Sequence, residues 1–328
     1  MPALIDPYHR VIDYLRVSVT DRCDLRCTYC LPKDFKGFEE PAHWMTLAEM
    51  RRLVGLFVAL GVHRVRLTGG EPLLRRDLPD LAAGLKALPG LRDLSVSTNA
   101  TRLDRMALPL KAAGVDRLNI SLDSLDADCM TRITGHDCLS KILRGIDAAM
   151  QAGFGTIKLN MVVQRGVNDH EIDQMMAYAR RNRLVLRLIE PMPVGHTGRS
   201  AAGYDLRALG EALAHRMGLI PQLPGAGHGG GPARYWVDAH GGLSLGVITP
   251  MSQHFCQTCN RVRLGVDGTL YLCLGQNDQV PLGRMLRQGA SDDALRQAIL
   301  AGIARKPQRH EFTDRPEKVV RFMAQTGG

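Results

Sequence analysis

Residues 63–98 read HRVRLTGGEPLLRRDLPDLAAGLKALPGLRDLSVST. The stretch opens on a β-rich run, HRVRLTG (63–69), and closes on another, DLSVST (93–98). Between them, DLPDLAAGLKAL carries its apolar residues at helical spacing. A strand, a helix and a second strand joined this way must set the two strands parallel, because a crossover is needed to bring the chain back. The same unit repeats in both directions. Upstream lie LRVSV (15–19) and MTLAEMRRLVGLFVAL. Downstream, DRLNISL (116–122), TIKLNMVV (156–163) and LVLRLIE (184–190) alternate with DRMALPLKAAG, LSKILRGIDAAMQAG and DHEIDQMMAYARRN, most of which stop at Gly or Asn.

Six such strands suit either a barrel or an open doubly wound sheet. The loops after them decide: TDRC, TGGEP, STNA, SLDS, VVQRG and IEPMPVG all carry polar or Gly-rich signatures. Barrels gather chemistry at the C-terminal ends of many strands, whereas an open sheet concentrates it at one switch point. The expected fold is therefore α/β, a partial (βα)6 TIM-like barrel. The repeat breaks at PQLPGAGHGGGP (221–232), a linker by composition. Beyond it YWVD, GGLSLGVI, RVRLGVDGTLYLCL and a helix at 291–304 form a smaller α+β region, so the expected units are 7–224 and 225–328.

Of 328 residues, 45% are apolar and 23% charged, values of a folded soluble chain. The longest uncharged apolar run, Leu53–Val62, is far below the ~20 residues of a membrane span. The start, MPALIDPYHR, lacks the apolar core of a secretion signal, so the expected location is the cytoplasm, away from any membrane. The net charge is +9, and 34 of the 42 basic residues are arginine. Codon usage would explain that excess; so would a phosphate-bearing partner, which the guanidinium fork suits. Aromatic residues are only 5% and no basic run interleaves with them, so a small phosphorylated substrate is expected and nucleic acid is not.

Eight cysteines in a reducing compartment point to ligands or buried thiols. Cys129 and Cys138 stand apart and read as small buried hydrophobes. Cys23, Cys27 and Cys30 form C-x3-C-x2-C just after the first strand. A closed structural zinc site wants four ligands, and His9 and His43 are badly spaced to supply one. Three thiolates suit a 4Fe-4S cluster with one iron open to a small molecule. Cys256, Cys259 and Cys273 form a second triplet in FCQTCNRVRLGVDGTLYLCL, a strand, an Asp-Gly turn and a return strand bearing the third thiol. A zinc knuckle completed by His254 competes with a second cluster here.

The first triplet together with TGGEP resembles the signature of radical S-adenosylmethionine (SAM) enzymes, which share the partial barrel. YLRVSVTDRC, TGGEPLLRRDL, STN, NISLDS, the CxxCNRxRL block and the terminal Gly-Gly resemble, within them, the GTP 3′,8-cyclase family of molybdenum cofactor biosynthesis. That resemblance implies two 4Fe-4S clusters and SAM. It implies a 5′-deoxyadenosyl radical that takes the ribose C3′ hydrogen of GTP, after which C3′ attacks guanine C8.

By the same resemblance Cys23, Cys27 and Cys30 hold one cluster and Cys256, Cys259 and Cys273 the other. Tyr29, Gly70, Ser121 and Met192 contact SAM. Arg16, Arg66, Ser97, Lys158, Arg261, Val262 and Arg263 meet GTP, with Arg16, Gly327 and Gly328 at the reacting site. Ser97 stands where the family usually has Thr, Ala100 where it usually has Gly, and Pro191 where an aromatic or aliphatic residue is common. Implied partners are a flavodoxin- or ferredoxin-type reductant and a cyclic pyranopterin monophosphate synthase that receives the product; the chain would act as a monomer or homodimer. Alternatives are a two-cluster radical SAM enzyme for a peptide or another nucleotide, and a zinc-knuckle nucleic-acid module.

Overall fold

In LRVSV, Leu15 and Val17 turn to one side and are fully buried, while Arg16 turns to the other. Every strand of the repeat follows this rule, and it builds a barrel with an apolar outer face and a polar inner one. The computed structural model describes residues 3–36, 38, 41–201, 204–222, 230–239, 242–315 and 321–327. Strands β1 (Tyr14–Ser18), β2 (Arg64–Thr68), β3 (Asp93–Thr98), β4 (Arg117–Ser121), β5 (Ile157–Val162) and β6 (Val185–Ile189) pair parallel in chain order.

Helices α1 (Leu47–Ala59), α2 (Leu78–Lys86), α3 (Leu103–Ala112), α4 (Ala127–Thr134), α5 (Leu139–Gln151) and α6 (Ile172–Arg181) make the crossovers. Their apolar stripes bury Leu53, Phe57, Leu78, Leu85, Leu103 and Ile142 against the outward strand residues. Helix α1 begins at a capping box: Thr46 Oγ1 accepts from Glu49 N at 3.2 Å, and Glu49 returns by accepting from Thr46 N at 2.7 Å. Helix α4 has no counterpart in the periodic segments. It starts at Asp126, whose side chain accepts from Cys129 N at 2.7 Å, and stops at Gly135, where φ is 76°. Cys129 and Cys138 are buried at 1% and 3% exposure, as small hydrophobes should be.

After β6 come α7 (Gly195–Ala201), α8 (Leu206–Arg216) and β7 (Ile220–Gln222). The C-terminal part adds β8 (Arg234–Val237), β9 (Ser244–Ile248), β10 (Arg261–Leu264), β11 (Thr269–Tyr271) and β12 (Gln279–Pro281), then α9 (Leu282–Arg287), α10 (Asp292–Ile303) and α11 (Met323–Thr326). These strands do not form a sheet of their own. Strand β9 adds parallel to β6, β10 adds parallel to β1, and antiparallel pairs extend both edges into one twelve-stranded sheet. Asn260 Nδ2 donates to Gly230 O at 3.3 Å, joining the lead-in to β10 with that to β8. The Asp267–Gly268 turn is present, with Gly268 at φ 85°, but β11 ends at Tyr271 and leaves Cys273 just past the return strand. The expected boundary at 224/225 lies outside the described residues.

Candidate active site

The inner face of the sheet carries charge in rungs. Register sets Arg263 on β10 opposite Arg16 on β1, and Arg16 opposite Arg66 on β2. Arg66 faces Ser95 on β3 and donates to its Oγ at 3.3 Å. Three guanidinium groups therefore stand side by side on neighbouring strands. Burial, then Arg263 and Arg66, hold the Arg16 guanidinium well below its ordinary value; burial and Arg261 bring Arg263 down to about 10. Arg16 Nε and Arg261 Nε are buried without a hydrogen-bond partner, which is costly unless a ligand supplies one. Such a rung suits a polyanion.

Two cavities open onto this face. The first has Cys23, Cys27 and Cys30 on its wall with Tyr29, Gly70 and Ser121. Burial pushes all three thiols up, Cys30 to about 12. Tyr29 donates to Asp123 Oδ2 at 2.7 Å, and burial raises Asp123 to about 6. The TGGEP loop packs on the cysteine loop: Gly70 N donates to Thr20 O at 2.8 Å and Glu71 N to Arg22 O at 2.7 Å. A Cβ on Gly70 would stand 2.3 Å from Arg22 O, so glycine is required here by the backbone of the cysteine loop itself. Glu71, buried and raised to about 7, accepts from Thr98 Oγ1 at 2.7 Å and from Asn99 N at 2.6 Å, bracing β2 against β3. Ala100 adopts φ 62°, a left-handed conformation that favours glycine.

The second cavity is walled by Arg16, Arg66, Arg261, Val262 and Arg263 and by Cys256, Cys259 and Cys273. Ser97, Ser121, Asn160, Ile189, Met192 and Met323 belong to both walls, so the two chambers meet at these residues. The terminal helix α11 reaches the junction through Met323, while Gly327, beyond it, lines neither chamber. Gly327 is buried, its φ is 75°, and Arg263 Nη1 donates to its carbonyl oxygen. Gly328 lies outside the described residues. Lys158 faces inward opposite Asn119 and is buried at 3% exposure, but it lines neither chamber. Its Nζ sits 3.4 Å from Tyr235 Oη.

Four contributors escaped the motifs. Arg187 on β6 donates to Asn160 Oδ1 at 2.8 Å and to Asn119 Oδ1 at 2.6 Å. Only its inward register marks it in the sequence. Tyr14 on β1 lines the second cavity beside Arg66. Lys306, 2% exposed, donates from Nζ to Leu272 O at 2.5 Å and faces the second triplet. Its charge lowers all three thiols: at Cys259 it helps overcome burial, while Cys256 and Cys273 stay raised by burial. Arg10, buried with Asp6 at 2.6 Å, donates to the carbonyls of Cys256, Pro307 and Gln308, each at 2.7 Å, and fastens the segment after Lys306 to the triplet.

Among the described residues no group of three His, Cys, Asp or Glu side chains is placed to hold a single metal ion. His254, the fourth ligand that the competing zinc knuckle would need, is exposed, stacks edge-on with His310 at 5.7 Å and lines neither chamber. Each triplet instead stands along the wall of an open chamber, the donor set that a multi-iron cluster with a vacant corner takes. Beside the first triplet, Tyr29, Val162, Ile189 and Met192 offer apolar wall, and Ser121 and Thr68 polar points, a fit for SAM.

The sequence matches the Radical SAM superfamily over residues 17–179 and the Molybdenum Cofactor Synthesis C family over residues 184–312. It is 45% identical to a GTP 3′,8-cyclase of Pseudomonas savastanoi pv. phaseolicola, covering 100% of this chain and 99% of that protein. It is 44% identical to a GTP 3′,8-cyclase of Marinobacter nauticus, covering 99% and 98%. The fold is similar to that of Streptococcus suis SuiB bound to S-adenosylmethionine, with a TM-score of 0.65 at 14% identity over 91% of this chain and 69% of that one.

Proposed function

The chain belongs to the GTP 3′,8-cyclase family of radical SAM enzymes, and from that premise we propose how its own residues divide the reaction. The reaction takes hydrogen from ribose C3′ of GTP and joins C3′ to guanine C8, giving 3′,8-cyclo-7,8-dihydroguanosine 5′-triphosphate, the first step of molybdenum cofactor biosynthesis. Two 4Fe-4S clusters and SAM serve it. When bound, SAM beside the first cluster supplies the 5′-deoxyadenosyl radical chemistry.

Cys23, Cys27 and Cys30 hold the first cluster, and Tyr29, Gly70, Ser121 and Met192 form the SAM seat around it. Cys256, Cys259 and Cys273 would hold the second, which would supply a binding point for the guanine in the second chamber. Arg16, Arg66, Arg261 and Arg263 bind the triphosphate, whose charge relieves their mutual repulsion. Val262 supplies wall beside them. Ser97, on the wall of both chambers, holds the ribose near the junction. Lys158 acts one layer behind, as a buried and largely neutral amine beside Tyr235. Arg263 fixes Gly327, and Gly327, together with Gly328, which lies outside the described residues, is assigned to the reacting sugar, where the tail would keep water out.

In this reading the residues 7–224 carry the radical chemistry and 225–328 the substrate cluster and tail. A flavodoxin- or ferredoxin-type protein delivers the electron, the product passes to a cyclic pyranopterin monophosphate synthase, and the chain works in the cytoplasm as a monomer or homodimer. No helix among the described residues is long and apolar enough to cross a membrane.

The observation that carries the reading is the shared wall: two cysteine-lined chambers that meet at Ser97, Ser121, Asn160, Ile189, Met192 and Met323. Anaerobic incubation with GTP, SAM and a strong reductant, followed by mass analysis, tests it. Cyclised nucleotide and 5′-deoxyadenosine should appear together; 5′-deoxyadenosine alone would reject GTP as the substrate. Cys23→Ser should abolish SAM cleavage, whereas Cys273→Ser should spoil cyclisation more than SAM binding.

A further inference from the structure

We propose that a basic cleft on the outside of the first cysteine loop is the docking face for a small acidic one-electron carrier protein. The proposal deepens the reading above and rests on it.

The cleft lies between the loop after β2, the start of α3 and the α4–α5 turn, and its floor is the cysteine loop, through Asp24 and Leu25. Arg76, Arg102, Arg105, Lys141 and Arg144 line it, and all five side chains are exposed. None of the five makes an ion pair with another described residue. The carboxylates among them compensate only in part. Asp24, which accepts from Asn99 Nδ2 and Thr101 Oγ1 at 2.7 Å each, Asp104 and Asp137 are three carboxylates against the five cations. A positive field thus faces solvent.

Position gives that field a use. Leu25 stands on the wall of both this cleft and the first chamber, so one layer of side chains separates the cleft from Cys23, Cys27 and Cys30. The reaction consumes an electron at that centre. One electron leaves the carrier's flavin or iron–sulfur group, which is oxidised by one unit, and is taken up at the centre; no atom or proton need cross the layer. The cations sit on long side chains from three separate segments around an open rim, which fits the broad acidic face of a protein better than a small anion. The lining has no Phe, Tyr or Trp on which nucleic-acid bases would stack.

The test uses the anaerobic holoenzyme and two paired variants, Arg102→Glu with Arg105→Glu, and Lys141→Glu with Arg144→Glu. Reduced flavodoxin and dithionite serve as alternative reductants. Flavodoxin reoxidation, followed by flavin absorbance, and 5′-deoxyadenosine formation are both measured over a range of salt. The wild type should show a flavodoxin-driven rate that falls with salt. Each variant should lose about tenfold of that rate at low salt, with its salt dependence flattened, while the dithionite-driven rate stays within about twofold. Unchanged flavodoxin rates in both variants would overturn the proposal. So would equal losses with both reductants, or retained flavodoxin turnover accompanied by lost binding to single-stranded RNA. Failure of the wild type to form 5′-deoxyadenosine with dithionite would instead sink the radical SAM reading itself.

Discussion

Arg263 donates a hydrogen bond to the carbonyl oxygen of Gly327, so the last described residue of the chain is tied to the same arginine that faces Arg16 across the β1–β10 pair. The tail and the substrate rung share one guanidinium. A Cβ on Gly327 would stand 2.3 Å from Thr68 Cγ2, on a backbone at φ 75° that disfavours any side chain. Gly327→Ala should displace the tail and lower cyclisation by about a hundredfold, the cost of a small misplacement at a reacting centre. SAM cleavage should survive. The ratio of 5′-deoxyadenosine to cyclised nucleotide, read by mass, should rise; an unchanged ratio would place the tail outside the site.

Arg16 stands between two like charges with an unpartnered Nε. Replacing it by an apolar side chain of similar length should relieve the free protein and harm the complex. Arg16→Met is expected to hold or raise the melting temperature without GTP. It should weaken GTP binding about 10- to 100-fold, the worth of a charge-assisted contact of ~1.5–3 kcal/mol. Calorimetry with and without GTP checks both halves, and a fall in the unliganded melting temperature would contradict the repulsion.

Lys158 should make stability depend on pH. Burial, then Arg187, Arg117 and Arg66, lowers its pKa to about 6, against an unfolded value of about 10.4. Between those values the unfolded chain binds more protons than the folded one, so this contribution strengthens as pH rises and is lost as pH falls towards about 6. Between pH 7 and 9 the wild type should gain about 1.4 kcal/mol per pH unit relative to Lys158→Met. Denaturant titrations at both pH values measure it, and parallel curves would show the lysine to be charged in the folded protein.

Lys306 should matter to the second cysteine triplet as a fixed charge. Lys306→Met removes the cation facing Cys256, Cys259 and Cys273 and frees Leu272 O. Anaerobically purified variant should hold iron and sulfide for one cluster where the wild type holds them for two, with the first cluster's electron paramagnetic resonance signal intact. Lys306→Arg should restore most of the loss. Full iron in the Met variant would reduce Lys306 to packing.

The six parallel strands were legible because alternation and helical period change sharply between short segments: DLSVST, for instance, is β3 to the residue. The two cysteine triplets were legible as chemistry because close thiol spacing is rarely accidental. What stayed hidden depends on contacts far apart in sequence. Nothing in RVRLGVDGTLYL announces that Arg263 will pair beside Arg16, and nothing near residue 306 announces that Lys306 will face thiols more than thirty residues upstream. Arg187 was hidden for another reason: in LVLRLIE it looks like any solvated arginine until the strand closes against Asn119 and Asn160. Alternation showed that Arg16 leaves the apolar face, but only the closed sheet makes the opposite face an interior.

Because β10 completes the edge of β1, strand β1 waits for the synthesis of Arg261–Leu264, more than 240 residues later, before its outer hydrogen bonds are made. Until then the nascent half-barrel exposes one bare edge at β1 and another at β6, the kind of surface that recruits chaperones or invites misassembly. A chain cut short before residue 261 would leave β1 without its neighbour, so premature termination late in translation should yield aggregates in place of a smaller working enzyme.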